Sequence, residues 1–273
     1  MTLEVHRFGR LTSTAAFFLL IAGGLVTSTR SGLAVPDWPL SFGQFFPPMV
    51  GGVFFEHGHR MIAGIVALLT FGLGGLIASK ETRRWVRMTA LAACAAIVVQ
   101  AVLGGLTVLL RLPPVISVSH ACLAQGVFCL ILTLTQATSP WYIEASRGIA
   151  GGLWKPCAGA AAAVYLQLIF GALARHSSHG TGYHVAWALP ASASVAFVVL
   201  RIFRVHPGES SLTQPAAALA ALLPLQLILG VVSLAVRRSS APQAAGLTAA
   251  HVAVGALLLG TTVITALRAH RIQ

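Results

Sequence analysis

Four histidines hold most of the chemical potential of this sequence. His59, His120, His184 and His251 each fall near the start of an even-numbered apolar stretch, and ionisable groups inside membrane spans are rare and usually functional. Three of them follow, one stretch later, the same short pattern: Gln100-Ala-Val-Leu-Gly104 before His120, Gln167-Leu-Ile-Phe-Gly171 before His184, and Gln226-Leu-Ile-Leu-Gly230 before His251. Gly23 and Gly24 stand at the comparable place before His59. A unit of two stretches and one histidine is thus used four times. A lone histidine would read as an interhelical hydrogen-bonding residue; four at matched positions read as metal ligands. Two imidazoles facing across a helix bundle suit the axial positions of a haem iron, and two pairs predict two sites. Zinc wants four close ligands or a carboxylate, and copper would be expected beside Met or Cys, so no metal other than haem iron is expected. Gly104, Gly105, Ala121, Gly171, Ala172 and Gly255 are small enough to open a porphyrin slot.

The remaining polar residues surround these four. Glu56 and His59 are at i and i+3, and Glu56 and Arg60 at i and i+4, the spacings of one helical face. Glu56 reads either as a helix N-terminal cap with a surface ion pair or as a carboxylate beside a haem, able to move protons. His57 faces another side of that helix. Arg30, Arg111, Arg175 and Arg237 each end an odd-numbered stretch at one level. They read either as lipid-headgroup contacts or, together with Arg60, as partners of haem propionates. His176 and His179 are expected in solvent, and His6, His206 and His270 are expected to be incidental at the opposite edge. Cys94, Cys122, Cys129 and Cys157 form no C-x-x-C pair and read as small buried apolar residues; without C-x-x-C-H, covalently attached haem is not expected.

The elements that must position these residues are membrane helices. Of 273 residues 56% are hydrophobic and 9% charged, against about 25% charged in soluble domains. A spanning helix needs ~20 apolar residues, and eight such stretches are readable at 11–29, 57–79, 86–110, 115–137, 154–174, 183–203, 214–236 and 245–267. The first is too long for a cleaved signal peptide and is followed by further spans. Alternating ten-residue strands are absent, so helices must satisfy the backbone. The fold class is all-α and polytopic: eight transmembrane helices in two pseudo-symmetric four-helix bundles, residues 1–138 and 139–273, inserted in the same sense as a parallel repeat.

The net charge of +12 would suggest nucleic acid in a soluble protein. Here the basic residues lie in short connections with no interleaved aromatic stripe, so lipid headgroups are the expected partner and nucleic acid is not. Twelve of the 18 Lys and Arg fall at the two termini and in 80–87, 138–155 and 201–213. The other side carries Arg30, Arg60, Arg111, Arg175, Arg237 and Arg238. That bias predicts both termini in the cytoplasm. The outward loop 30–56, with Asp37-Trp38-Pro39-Leu40 and Pro47-Pro48, reads as an ordered lid on the membrane surface.

The pattern resembles the haem A synthase family. Thr27-Ser28-Thr29-Arg30-Ser31-Gly32-Leu33, Asp37-Trp38-Pro39-Leu40, Glu56-x-x-His59-Arg60, Gln100-x-x-Leu103-Gly104-Gly105-x-Thr107-Val108, His120, Gln167-x-x-x-Gly171-Ala172, Arg175-His176, His184 and His251 fall in the family's order over essentially the whole chain. The resemblance implies a membrane oxidoreductase that oxidises the C8 methyl of haem O to a formyl group, giving haem A for terminal oxidases. It implies haem O between His59 and His120, a b-type haem between His184 and His251, and a functionally important glutamate at Glu56. It also implies the bacterial inner membrane, with haem O synthase, an electron donor and a second copy of the chain as candidate partners. Many bacterial members carry a cysteine pair in the first outer loop; here that loop has none, and Ser41 follows Asp-Trp-Pro-Leu where a cysteine often occurs. A mechanism needing that disulfide cannot operate, and the lack of long inserts points to a compact bacterial form. The rival readings are a di-haem b-type electron carrier and a transporter built from parallel repeats.

Overall fold

A computed structural model describes residues 2–146, 148, 151–177, 179–236 and 242–273. Among them are nine helices: α1 (Thr2–Ser28), α2 (Gly52–Lys80), α3 (Arg84–Leu109), α4 (Pro114–Ala137), α5 (Pro140–Glu144), α6 (Trp154–His176), α7 (Thr181–Val205), α8 (Ser210–Val236) and α9 (Pro242–Arg271). All but α5 are long and apolar enough to cross a membrane, so the chain is a multi-pass membrane protein. No strand occurs among the described residues. Pro190, Pro215 and Pro224 sit inside α7 and α8, where neighbouring groups in a membrane bundle re-satisfy the freed carbonyls.

Several elements depart from the sequence reading. α1 starts at Thr2 rather than near 11, because its first turns pack on α4. Val5 is buried, and the His6 Nδ1–H donates to the Thr135 carbonyl at 2.9 Å; His6 is therefore a structural link. α2 starts at Gly52, after Gly51 at φ 54°, which places Glu56 inside the helix rather than at its cap. α9 extends from Pro242 to Arg271, three residues earlier and four later than expected. The segment after α4, expected to be a plain connection, contains α5. Ser139 caps it by accepting from Tyr142 N, and Pro140 occupies the first turn, a combination suited to helix starts.

α1 packs on α2 and α4, and α3 on the same two; α6 packs on α7 and α9, and α8 on the same two. α9 also meets α1 and α4, and α4 meets α6. One apolar cluster, around Val66, Leu73, Ile77, Ile97, Ile131 and Leu134, fills the first set. A second, around Leu153, Val195, Ile202, Leu212, Leu219 and Leu259, fills the other. Small residues set the close approaches. A Cβ on Gly9 would lie 2.8 Å from Thr135 Oγ1 and 3.3 Å from Thr135 Cα, so α1 rests directly on the α4 backbone.

Gly9→Ala is expected to push these helices apart and cost ~1–3 kcal/mol. Gly75→Ala, where a Cβ meets nothing within 4 Å, is expected to be neutral or stabilising by up to ~1 kcal/mol. Thermal unfolding of the two variants in the same detergent checks the opposite signs.

Candidate functional site

The four histidines each occupy the same local setting. An ideal Cβ on Gly23, Gly104, Gly171 or Gly230 would stand 3.1 Å from Cε1 of His59, His120, His184 or His251, respectively. Each imidazole therefore lies against a helix backbone at a residue without a side chain, and each glycine belongs to the preceding long helix. The glutamine one turn before the glycine holds the histidine's helix. Gln100 Nε2 donates to the His120 carbonyl at 3.0 Å and Gln167 Nε2 to the His184 carbonyl at 2.9 Å. Gln226 Nε2 instead lies 3.5 Å from His251 Nε2. Leu19 occupies this place in α1, so His59 has no such glutamine.

All four rings line one cavity of about 2000 Å³ that reaches into both sets of helices. Ordinary single-ligand pockets measure roughly 300–1,000 Å³, so the space suits two large ligands. His184 and His251 have ring centroids 6.1 Å apart and planes at 87°. Two imidazole nitrogens each ~2 Å from one metal ion, with ring centres about 1 Å beyond each nitrogen, would give about 6 Å. The His184 Nδ1–H donates to the Gln167 carbonyl at 3.1 Å, because a carbonyl only accepts. Its Nε2 is then the lone-pair nitrogen, the outer hydrogen bond that metal-ligating histidines commonly use. His59 keeps a buried Nδ1, and Gln100, Gln167 and Gln226 a buried Oε1, without a hydrogen-bond partner. Buried polar atoms left so are uncommon. A pair of imidazoles at this spacing, set on glycine cradles in a large apolar cavity, fits a porphyrin that histidines would hold.

Glu56 lines the same cavity and is 3% exposed. Neither oxygen caps its own helix. Oε2 accepts from Val35 N at 2.9 Å, and Oε1 pairs with Arg60 Nη2 at 2.7 Å. Arg60 Nη1 donates to the carbonyls of Asp37 and Leu40, both at 2.8 Å. His57, two positions from His59, points to the loop. Its Nδ1 lies 2.7 Å from Ser41 Oγ, and both residues are buried.

The arginines that the sequence grouped separate in space. Arg175, half-buried on α6, lines the cavity and reaches across to α1, donating from Nη2 to the Gly24 carbonyl at 2.8 Å and to Ser28 Oγ at 2.5 Å. Arg30 is exposed at the cavity wall. Arg111 is exposed and does not line the cavity, and Arg237 lies outside the described residues. His176, expected in solvent, is half-buried on the cavity wall, whereas His179 is exposed. Cys157 is buried, Cys94, Cys122 and Cys129 are half-buried, and all four are free.

Tyr165 was missed by the sequence reading. Its hydroxyl donates to the Cys122 carbonyl at 3.0 Å, linking α6 to α4 at the cavity wall. Trp38 was noted only as part of a motif. Its indole sits where a Gly105 Cβ would be, 2.7 Å from Cδ2. The adjacent glycines were the available signal, since only Gly104 is used by an imidazole.

The family profile COX15-CtaA, described as cytochrome oxidase assembly protein, matches residues 50–188. A Bacillus pumilus protein named "Heme A synthase" is 32% identical over 131 residues, 45% of this chain and 41% of the relative. One of the same name from Ruegeria pomeroyi is 34% identical over 144 residues, 48% and 38% of the two chains. A third, from Geobacillus thermodenitrificans, is 28% identical over 179 residues, 63% and 56%. The matched stretches thus span about half the length of these relatives or less.

The outer loop carries a pH dependence. Gly43 N and Phe42 N donate to the Asp37 carboxylate at 2.8 and 2.7 Å, and these bonds, Gly43 first, hold its pKa below the usual carboxylate value. A group depressed in the folded state stabilises above its unfolded pKa, ~3.9, and the stabilisation is lost as pH falls through the folded value. Amide hydrogen exchange at Phe42 and Gly43 is expected to accelerate, beyond the intrinsic change, as pH drops below about 4. In Asp37→Asn these amides should be less protected already at neutral pH, with that step gone.

Proposed function

Because the chain belongs to the COX15-CtaA family of cytochrome oxidase assembly proteins, we propose that it is a haem A synthase, a membrane oxidoreductase that converts the C8 methyl of haem O to a formyl group. The observation that carries this reading is the fourfold imidazole-on-glycine setting around one cavity of about 2000 Å³, together with relatives that bear that name. Two hydroxylations of the methyl followed by loss of water give the aldehyde, and the product is haem A for terminal oxidases.

In this reading residues 1–138 hold haem O between His59 and His120, and residues 139–273 hold a b-type haem between His184 and His251. A b-type haem bound there supplies one-electron transfer. The chain's own residues do the rest. The Gln167 carbonyl fixes the His184 tautomer. Gln100 and Gln167 keep the helices of His120 and His184 in register. The apolar lining excludes water from the reacting edge. Glu56, oriented by Val35 N and Arg60, is the one carboxylate on the cavity wall among the described residues and holds or passes a proton at that edge. Arg175, a cavity cation that makes no ion pair among the described residues, is the first choice for a propionate partner, with Arg30 at the rim. Arg111 and Arg237 remain candidates of the same kind by their place in the repeat. The family supports a bacterial inner-membrane protein, and the excess of Lys and Arg at the termini and in 80–87, 138–155 and 201–213 supports both termini cytoplasmic. An electron donor, haem O synthase and a second copy of the chain are its proposed partners.

Expression beside a haem O synthase, followed by pigment extraction, tests the proposal. Haem A or its alcohol intermediate is expected. Haem O alone would leave an electron-carrying di-haem protein, which the His184–His251 spacing also suits. Glu56→Gln is expected to reduce turnover about 100-fold or more, within the usual range for general acid–base groups, while haem absorbance persists. Unchanged turnover would reduce Glu56 to a fastener of the loop.

A further inference from the structure

Resting on the proposed placement of haem O between His59 and His120, we infer that Trp38 is a substrate-contact residue that walls this site, and that Arg60 and Gly105 are the residues that position it.

Trp38 is held from both sides by neighbours of the two proposed ligands. Arg60 directly follows His59, and its Nη1 grips the carbonyls of Asp37 and Leu40, which bracket Trp38-Pro39. The turn carrying the indole is thereby pinned to α2 at the level of the first imidazole. On the other side, Gly105 follows Gly104, against which the His120 ring lies. Indole atoms Cδ2, Cε2 and Cε3 would be 2.7–2.9 Å from a Gly105 Cβ, so the ring lies on bare α3 backbone one residue from that seat. The indole lines the cavity yet remains 39% exposed. One part of the ring is thus spent on α3, and the residue keeps uncovered surface at the cavity wall. A flat, rigid aromatic held in this way suits the flat apolar face or edge of a porphyrin. Glu56 and Asp37 hold the same loop through Val35 N, Phe42 N and Gly43 N, so the indole is placed before any ligand arrives and little ordering cost attends binding.

The test uses the full chain in detergent with His184→Ala and His251→Ala, so that the Soret band of added haemin reports only the His59–His120 site. Trp38→Ala is expected to weaken haemin binding roughly tenfold. Gly105→Ala, which keeps the indole but denies it its seat, is expected to do the same. Since Gly105 acts through Trp38, the double variant should bind no more weakly than Trp38→Ala alone. Quenching of indole emission by haemin in the otherwise unaltered chain, lost in part in Trp38→Phe, gives a readout independent of the histidine variants. Wild-type affinity in Trp38→Ala, with quenching unchanged in Trp38→Phe, would overturn the inference alone. Additive losses in the double variant would overturn the role of Gly105. A background that binds no haemin, with no quenching in the unaltered chain, would overturn the placement of haem O and this inference with it.

Discussion

An imidazole can rest on a neighbouring helix at about 3 Å only where the backbone carries no side chain, and the chain meets this requirement four times with one solution. Gly23, Gly104, Gly171 and Gly230 each leave room for the Cε1 edge of a histidine on the next long helix. The contact brings two helices close enough for small-residue packing, fixes the ring's approach, and keeps its polar atoms inside an apolar cavity. The glutamine one turn earlier then ties the histidine's helix by a carbonyl bond in two of the four units. The shared cavity and the perpendicular His184–His251 pair both depend on that spacing.

The outer connection solves a different problem. Residues 29–51 form no helix, so their backbone groups must find partners elsewhere. The first turns of α2 supply many of them. Glu56 takes Val35 N, Arg60 takes two loop carbonyls, and His57 meets Ser41 Oγ, while Asp37 closes the turn from within the loop. Ser41 occupies the place where many members of the resembling family carry a cysteine. Here a buried hydrogen bond to His57 stands at that point instead of a sulfur bridge. Leaving one member of such a cluster unpaired costs more than the intact bond contributes, so the loop and α2 form one unit, and His59 belongs to it.

The eight spans were legible because apolar length is a strong signal, and the histidine–glycine relation because it recurs at a fixed distance from a glutamine. Contacts between distant segments were not legible. Nothing local announces that His6 reaches Thr135, that His176 faces the cavity, or that Arg175 crosses to α1. The misplaced start of α2 has a physical cause. Phe54 and Phe55 follow a glycine- and proline-rich stretch that reads as loop, so Glu56 looked like a cap when it lies inside the helix. Gly105 looked like part of a slot for a ligand, yet its space is taken by Trp38 from the same chain.

Low-temperature electron paramagnetic resonance of the oxidised, haem-loaded protein tests the central claim most directly. If both imidazoles held one ferric iron, planes at 87° would remove the in-plane preference that parallel ligands impose. The account therefore predicts a strongly anisotropic low-spin signal, lost on His184→Ala or His251→Ala and kept on His59→Ala. Absence of this strongly anisotropic signal from the unaltered protein, or its survival in both carboxy-terminal variants, would contradict axial ligation by this pair.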